Sequence, residues 1–131
     1  MLNDPIADFI IRLKNASAAG KKSVIVPYSR LKYDIALKLQ KARFVAEVEK
    51  HGKKVKKTLE IELIYRDRNK PRITNVRRLS KPSHRVYKNV AGIRPVRHGS
   101  GLLVLSTPRG VLTGEEARKE KVGGEALFTI W

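Results

Sequence analysis

Apolar side chains at Ile6, Phe9, Ile10 and Leu13 recur every three to four positions, the spacing that gathers them on one face of a helix. Asp4 is placed to cap that helix. Pro5 suits its first position, where the missing N–H would have had no partner, and Gly20 is the predicted stop. Residues 23–26 form a short strand closed by Pro27, and Ser29 caps a second helix with Leu31, Ile35, Leu39 and Ala42 on its buried stripe. The period then changes from helical to two. Phe44, Ala46 and Val48 alternate with Val45, Glu47 and Glu49, and Leu59, Ile61 and Leu63 alternate with Thr58, Glu60 and Glu62. The basic turn at 51–57 makes these two strands a hairpin.

Residues 66–72 hold no aliphatic side chain and read as a loop between lobes. Beyond it, a strand is predicted from 73 to 79, a turn at Ser80-Lys81-Pro82-Ser83, and a short strand around Arg85-Val86-Tyr87. Gly92 and Pro95 argue against a long helix between 89 and 97. The continuous apolar run Leu102-Leu103-Val104-Leu105 is a buried strand, and Thr113 with Glu116 has the spacing of a capping box that opens a short helix to about Lys119. Residues 125–131 close the fold as a strand. The pattern predicts an α+β fold of two small packed α/β lobes. The N-terminal lobe, 1–65, runs α-β-α-β-β; after the linker loop 66–72, the C-terminal lobe, 73–131, is mainly β with one short helix.

Charge changes this picture from a generic domain to a polyanion binder. The 131 residues carry 29 Lys and Arg against 12 Asp and Glu, a formal charge of +17. Solubility is served by a net charge of about 2–8, so this excess points to a nucleic acid partner. The charge is uneven. Residues 1–49 hold nine basic and five acidic side chains, residues 50–100 hold 16 and three, and residues 101–131 hold four of each. The absence of cysteine excludes disulfides and thiolate metal ligands and fits a reducing compartment. No apolar run approaches the roughly 20 residues that span a bilayer. Met1-Leu2-Asn3-Asp4 lacks the basic and apolar stretches of a signal peptide, which points to the cytoplasm.

Enzyme constellations are weak. His51, His84 and His98 lack metal-ligand spacing and sit among basic residues, so no metal and no cofactor is expected. Asp4 and Asp8 are accounted for at a helix N-terminus. Ser106 and His98 lack the glycine-flanked elbow of a nucleophile, and Gly99-Ser100-Gly101 lacks the Gly-Lys-Ser/Thr ending of a phosphate loop. No catalysis and no small-molecule substrate is predicted.

Nucleic acid binding has more support. Lys53, Lys54, Lys56, Lys57, Arg66, Arg68, Lys70, Arg72, Arg77, Arg78, Lys81, Arg85 and Lys88 supply cations for phosphates, which position a partner without reading its sequence. Tyr65 and Tyr87 suit base stacking or an ordinary half-buried strand position equally. Readout needs a neutral, well-supported polar loop, and Ser106-Thr107-Pro108-Arg109-Gly110 has that character: its hydroxyls and amides either meet base edges and 2′-hydroxyls, with Arg109 on a phosphate, or simply satisfy a local turn. The runner-up is a non-specific DNA-architectural protein, although no groove-inserting helix or basic arm is evident.

The stretch GLLVLSTPRGVLTGEEAR, Gly101 to Arg118, resembles the signature of the family of the eighth small-subunit ribosomal protein in its bacterial form. Four further motifs agree in order and spacing: Asp4-Pro5-Ile6-Ala7-Asp8 with Arg12, Asn15 and Ala16; Val26-Pro27 with Ser29-Arg30-Leu31-Lys32; Arg78-Leu79-Ser80-Lys81-Pro82 with Arg85-Val86-Tyr87; and Val122-Gly123-Gly124-Glu125 with Trp131. The resemblance implies a non-enzymatic protein of the small ribosomal subunit that binds the central domain of its RNA directly and supports assembly, present as a monomer within the ribosome, with the fifth small-subunit protein as a neighbour. It also implies RNA contacts at Ser106, Thr107, Gly123, Gly124 and Glu125, and more loosely at Tyr87. The expected interface therefore comprises Ser106, Thr107, Pro108, Arg109, Gly123, Gly124, Glu125, Tyr87, Lys81, Arg85, Lys88 and Arg78. Pro108 departs from the family, many of whose members carry a third hydroxyl residue there; proline removes that hydroxyl and a backbone donor.

Overall fold

A computed structural model describes residues 4–131; Met1, Leu2 and Asn3, on which the reading of the chain start rests, lie outside the described set, as do the side chains of Arg68 and His98. In chain order the elements are α1 (Pro5–Ala18), β1 (Ser23–Pro27), α2 (Arg30–Lys41), β2 (Val45–His51), β3 (Thr58–Leu63), β4 (Tyr65–Arg66), a 3-10 turn (Asp67–Asn69) and β5 (Lys70–Pro71). There follow β6 (Val76–Arg78), β7 (Tyr87–Lys88), 3-10 turns at Val90–Gly92 and Arg97–Gly99, β8 (Leu102–Thr107), β9 (Gly110–Thr113), α3 (Gly114–Lys119) and β10 (Gly124–Ile130). The class is α+β, as the sequence pattern indicated. Among the described residues no helix is long and apolar enough to cross a membrane. The contacts divide the chain into two units, residues 8–74 and residues 4–7 with 75–131.

In the unit 8–74, β1, β3 and β2 form an antiparallel sheet with β3 central. Leu59, Ile61 and Leu63 of β3 face inward, packed out of solvent together with Phe9, Ile10, Leu13, Ile35 and Leu39. Ser29 caps α2 by accepting from the Lys32 amide at 3.1 Å. Two details of the helical and strand patterns differ from expectation. Leu31 is 38% exposed and Ala42 half-buried, because the buried stripe of α2 runs instead through Ile35, Ala36 and Leu39. The β2–β3 register shifts between Val45 and Glu47, so Ala46 is the extra residue of a bulge and Val45 turns into the core at 1% exposure. Strict alternation had put Val45 outside. Residues 66–72, expected as a loop, carry the ribbon β4–β5 around a 3-10 turn. The Arg72 guanidinium lies 3.8 Å from the Phe44 ring centre, and burial together with the nearby Arg66 charge lowers its pKa.

In the other unit β10 is the organising strand. One edge pairs with β8, the other with β6 near its end and β7 near its start, and β9 extends the sheet beyond β8. Leu103, Leu105, Leu112, Ala117, Ala126 and Ile93 form the core on one side. A register shift between Ala126 and Phe128 explains three successive buried residues, Ala126, Leu127 and Phe128, where a regular strand would alternate. The capping box at α3 is present in both directions: the Glu116 amide donates to Thr113 Oγ1 at 3.2 Å, and the Thr113 amide donates to Glu116 Oε1 at 3.0 Å. β6 is shorter than the predicted 73–79 strand. The stretch expected as a free loop, 106–110, is a tight β8–β9 hairpin in which Thr107 pairs with Gly110 across Pro108 and Arg109.

Candidate nucleic-acid interface

Three segments far apart in sequence meet where β10 begins. Gly124 and Glu125 pair on one side with Lys88 and Tyr87, and Glu125 pairs on the other with Ser106. The result is an open, concave surface of about 660 Å³ lined by Tyr87, Lys88, Asn89, Val90, Ser106, Thr107, Pro108, Gly123, Gly124 and Glu125. Eight of the twelve residues singled out from the sequence line it. Asn89 and Val90 were missed, although Asn89 carries a readable signal. Its side chain accepts from the Gly92 amide at 2.9 Å, the local turn that an Asn two to three residues before glycine favours.

The two glycines are a steric requirement of this arrangement. A Cβ on Gly123 would stand 2.4 Å from the Lys88 carbonyl oxygen and 2.9 Å from Asn89 Cα; one on Gly124 would stand 2.2 Å from the Ser106 carbonyl oxygen. Both obstacles are backbone. The absence of two side chains therefore lets three strands converge into a cup, and neither glycine needs a positive φ to do so.

Glu125 is braced from behind. The fully buried Ser80 hydroxyl donates to its Oε2 and accepts from the Val86 amide at 3.2 Å, while Arg85 Nη1 reaches the same oxygen at 3.0 Å. A carboxylate in a cationic chain is thus held in one orientation with its charge partly balanced. Sequence reasoning placed Ser80 in a turn and in a family motif but gave it no role at the interface.

The hydroxyls divide. Thr107 Oγ1 donates to the Gly110 carbonyl at 2.8 Å and accepts from the Arg109 amide at 3.1 Å, so this group serves the hairpin turn. The Ser106 hydroxyl has no partner among the described residues and sits in the cup wall. Tyr87 projects from the rim, 71% exposed, with the half-buried Lys88 beside it. The cup therefore combines a free hydroxyl, an oriented acceptor, a cation and an exposed aromatic ring.

Four of the selected residues lie outside it. Arg85 touches it through Glu125. Lys81 is exposed in the tight turn it forms with His84. Arg109 points to Glu120 at 3.4 Å. Arg78 is committed to the fold: its side chain is 9% exposed, Nε meets the Asp4 carboxylate at 3.1 Å, and Nη1 donates to the Leu127 carbonyl. Its charge is neutralised internally, which removes it from the phosphate-binding set.

The hairpin register also brings together groups the linear sequence kept apart. His51 Nε2 lies 3.3 Å from Glu49 and 3.0 Å from Glu60, so this histidine sits between acids and not among bases as its neighbours in sequence imply. The three offer one possible ligand atom each within 4.8 Å of one another, on an exposed strand surface. Both carboxylates face the same ring nitrogen, Nε2, so the three form a self-contained polar cluster.

Comparison with known proteins finds relatives along nearly the whole chain. A family model described as ribosomal protein S8 matches residues 4–131. The small ribosomal subunit protein uS8 of Persephonella marina is 46% identical over 136 residues, covering 100% of this chain and 100% of that protein. Those of Vesicomyosocius okutanii and Trichormus variabilis are 43% and 40% identical, covering 99% and 98% of this chain and 98% of each relative. With the family model spanning nearly every residue and full-length relatives at 40–46% identity, the chain belongs to the ribosomal protein S8 family.

Proposed function

We propose that the cup between β7, the β8–β9 hairpin and the start of β10 binds the central domain of small-subunit ribosomal RNA directly, and that this contact supports subunit assembly. The coarser statement follows from the family: the chain is a structural, non-catalytic protein of the small subunit of the cytoplasmic ribosome. What carries the finer reading is the convergence of Ser106, Gly124, Glu125, Tyr87 and Lys88 from three segments on one concave surface. A free hydroxyl and a fixed carboxylate suit base and ribose groups. Lys88 suits a phosphate, and an exposed tyrosine suits stacking on an unpaired base. Such a set reads an irregular RNA surface, whereas a polycation alone reads only charge.

In this proposal residues 73–131 are the RNA-recognition lobe and 1–65 the second lobe, with 66–72 between them, and the fifth small-subunit protein is a neighbour. The test is binding of a central-domain RNA fragment against a scrambled hairpin across a salt series. The fragment is expected to retain a large preference as salt rises, and Ser106→Ala is expected to reduce that preference while leaving scrambled RNA unaffected. Equal, steeply salt-dependent binding to both RNAs would return the protein to a non-specific nucleic acid binder.

A further inference from the structure

The unit 8–74 segregates its charge. Glu47 and Glu62 face each other across β2 and β3, as do Glu49 and Glu60, so four carboxylates share the outer face of the sheet. The opposite sign collects at the hairpin end. Lys53, Lys54, Lys56 and Lys57 are exposed in the turn that joins β2 to β3, with Val55 92% exposed among them. Lys50 belongs to the same end but points to the helical side of the sheet, since Glu49 and His51 point to the other. Among the described residues none of these five lysines pairs with a carboxylate. The nearby Asp34 is already taken by Arg30, at 3.2 Å.

Two tyrosines stand within this cationic end. Tyr28 follows β1 and is fixed by its amide, which donates to the Lys57 carbonyl at 3.0 Å; Tyr33 lies in the first turn of α2. Their ring centres are 6.1 Å apart with planes tilted by 42°. Lys50 Nζ sits 4.5 Å from the Tyr33 ring centre and 5.9 Å from that of Tyr28, and Lys57 Nζ sits 5.5 Å from that of Tyr28. Ring quadrupoles thus hold two unpaired ammonium groups beside two aromatic surfaces. Neither phenol hydroxyl has a hydrogen-bond partner among the described residues. Aromatic rings flanked by uncompensated cations are the ingredients with which proteins hold single-stranded nucleic acid: rings take bases, cations track the backbone.

We infer that Tyr28, Tyr33, Lys50 and Lys57 form a second RNA site, one that takes an unpaired nucleotide. Its base lies against the tyrosines and its flanking phosphates lie on the two lysines. The lysines of the hairpin turn extend the grip along the strand, and the phenol hydroxyls meet ribose or phosphate oxygens. The site lies in a different unit from the cup proposed above and stands or falls independently of it. A base stacked on tyrosine is sequence-tolerant, so this site contributes affinity for exposed single strand and leaves discrimination to the cup.

The test uses the full chain and a ten-residue oligouridylate, followed by fluorescence anisotropy across a salt series. Tyr28→Leu with Tyr33→Leu is expected to weaken binding about tenfold with little change in salt slope. Lys50→Gln with Lys57→Gln is expected to lower the slope of log K against log salt by about 1.4, or about 0.7 for each phosphate released. Tyr28→Phe with Tyr33→Phe keeps the rings and should retain most of the affinity, which separates stacking from any folding defect of the leucine pair. Ser106→Ala is read on the central-domain fragment and the leucine pair on oligouridylate, so failure of the cup and failure of this site give different results. Wild-type affinity in the leucine pair would overturn the inference. So would competition by polyglutamate equal to that by the oligonucleotide, since charge alone would then explain the binding.

Discussion

Gly124→Ala tests the convergence of strands more directly than any change at a polar group. The added Cβ would stand 2.2 Å from the Ser106 carbonyl oxygen, 3.0 Å from the Ser106 carbonyl carbon and 3.0 Å from Thr107 Cγ2. A tolerable carbon–oxygen contact begins near 3.3 Å, so β10 and β8 must separate locally by about 1 Å. The obstacle is backbone in a ladder, so no side-chain rotation relieves it. Forced overpacking of this kind costs about 1–3 kcal/mol. Against it, alanine at a position without positive φ reduces unfolded-chain entropy, worth about 0.4–1 kcal/mol in favour of the fold. The net expectation is a loss of about 1–2 kcal/mol, read as a lower urea midpoint with unchanged slope. The same 1 Å opens the cup between Ser106 and Gly124, so affinity for the central-domain fragment should fall by more than the stability loss alone would cause at saturating folded protein. An alanine variant with the wild-type midpoint and unshifted amide resonances at Ser106 and Glu125 would refute the steric account of this glycine.

Two other perturbations have signs fixed by the structure. Ser80→Ala, at a residue of zero exposure, leaves the Val86 amide without its acceptor and the part-exposed Glu125 carboxylate without one donor. A loss of about 2–4 kcal/mol in urea unfolding is expected, and a loss under about 0.5 kcal/mol would contradict the bracing role. Tyr65 donates its hydroxyl to the Lys21 carbonyl, and burial raises its pKa above the usual 10.0. Its contribution to stability is therefore fully present below about pH 10. It is lost as pH rises above the unfolded value toward the raised folded one, because the unfolded chain ionises first. Thermal unfolding followed from pH 8 to 11 should show the decline. Tyr65→Phe should flatten it, and a variant with the same alkaline slope would place the sensitivity elsewhere.

Much of this molecule is legible because local rules and global packing agree. The caps at Ser29 and Thr113, the helix over Ile6 to Leu13 and the β2–β3 hairpin all follow from residues within a few positions of one another. What escaped reading depended on partners distant in sequence. The bulge at Ala46 is invisible in an alternating run, because it exists only relative to β3. Arg78 looked like one more phosphate ligand, yet Asp4, 74 positions away, neutralises it. His51 looked basic in context until the hairpin set Glu60 beside it. In the cup the resemblance had marked the glycines, but the reason for them, a backbone carbonyl from Ser106 and another from Lys88, needed coordinates. Composition pointed to a polyanion partner, though not to which lysines remain without a carboxylate.

The place of β10 in its sheet sets an order on biosynthesis. It is the last strand in chain order, and β6, β7 and β8 all hydrogen-bond to it. The sheet of residues 8–74 is complete once Leu63 has emerged from the translating ribosome, whereas the other sheet has no centre until residues 124–130 are out. During vectorial synthesis one sheet is therefore able to form while β6, β7 and the β8–β9 hairpin wait for their common partner. These are joined in the end by pairings of which that between β6 and β10 spans about fifty residues, a slow class of contact to close. The cup proposed for RNA is consequently incomplete until translation has passed β10, so a half-made chain lacks it by topology alone.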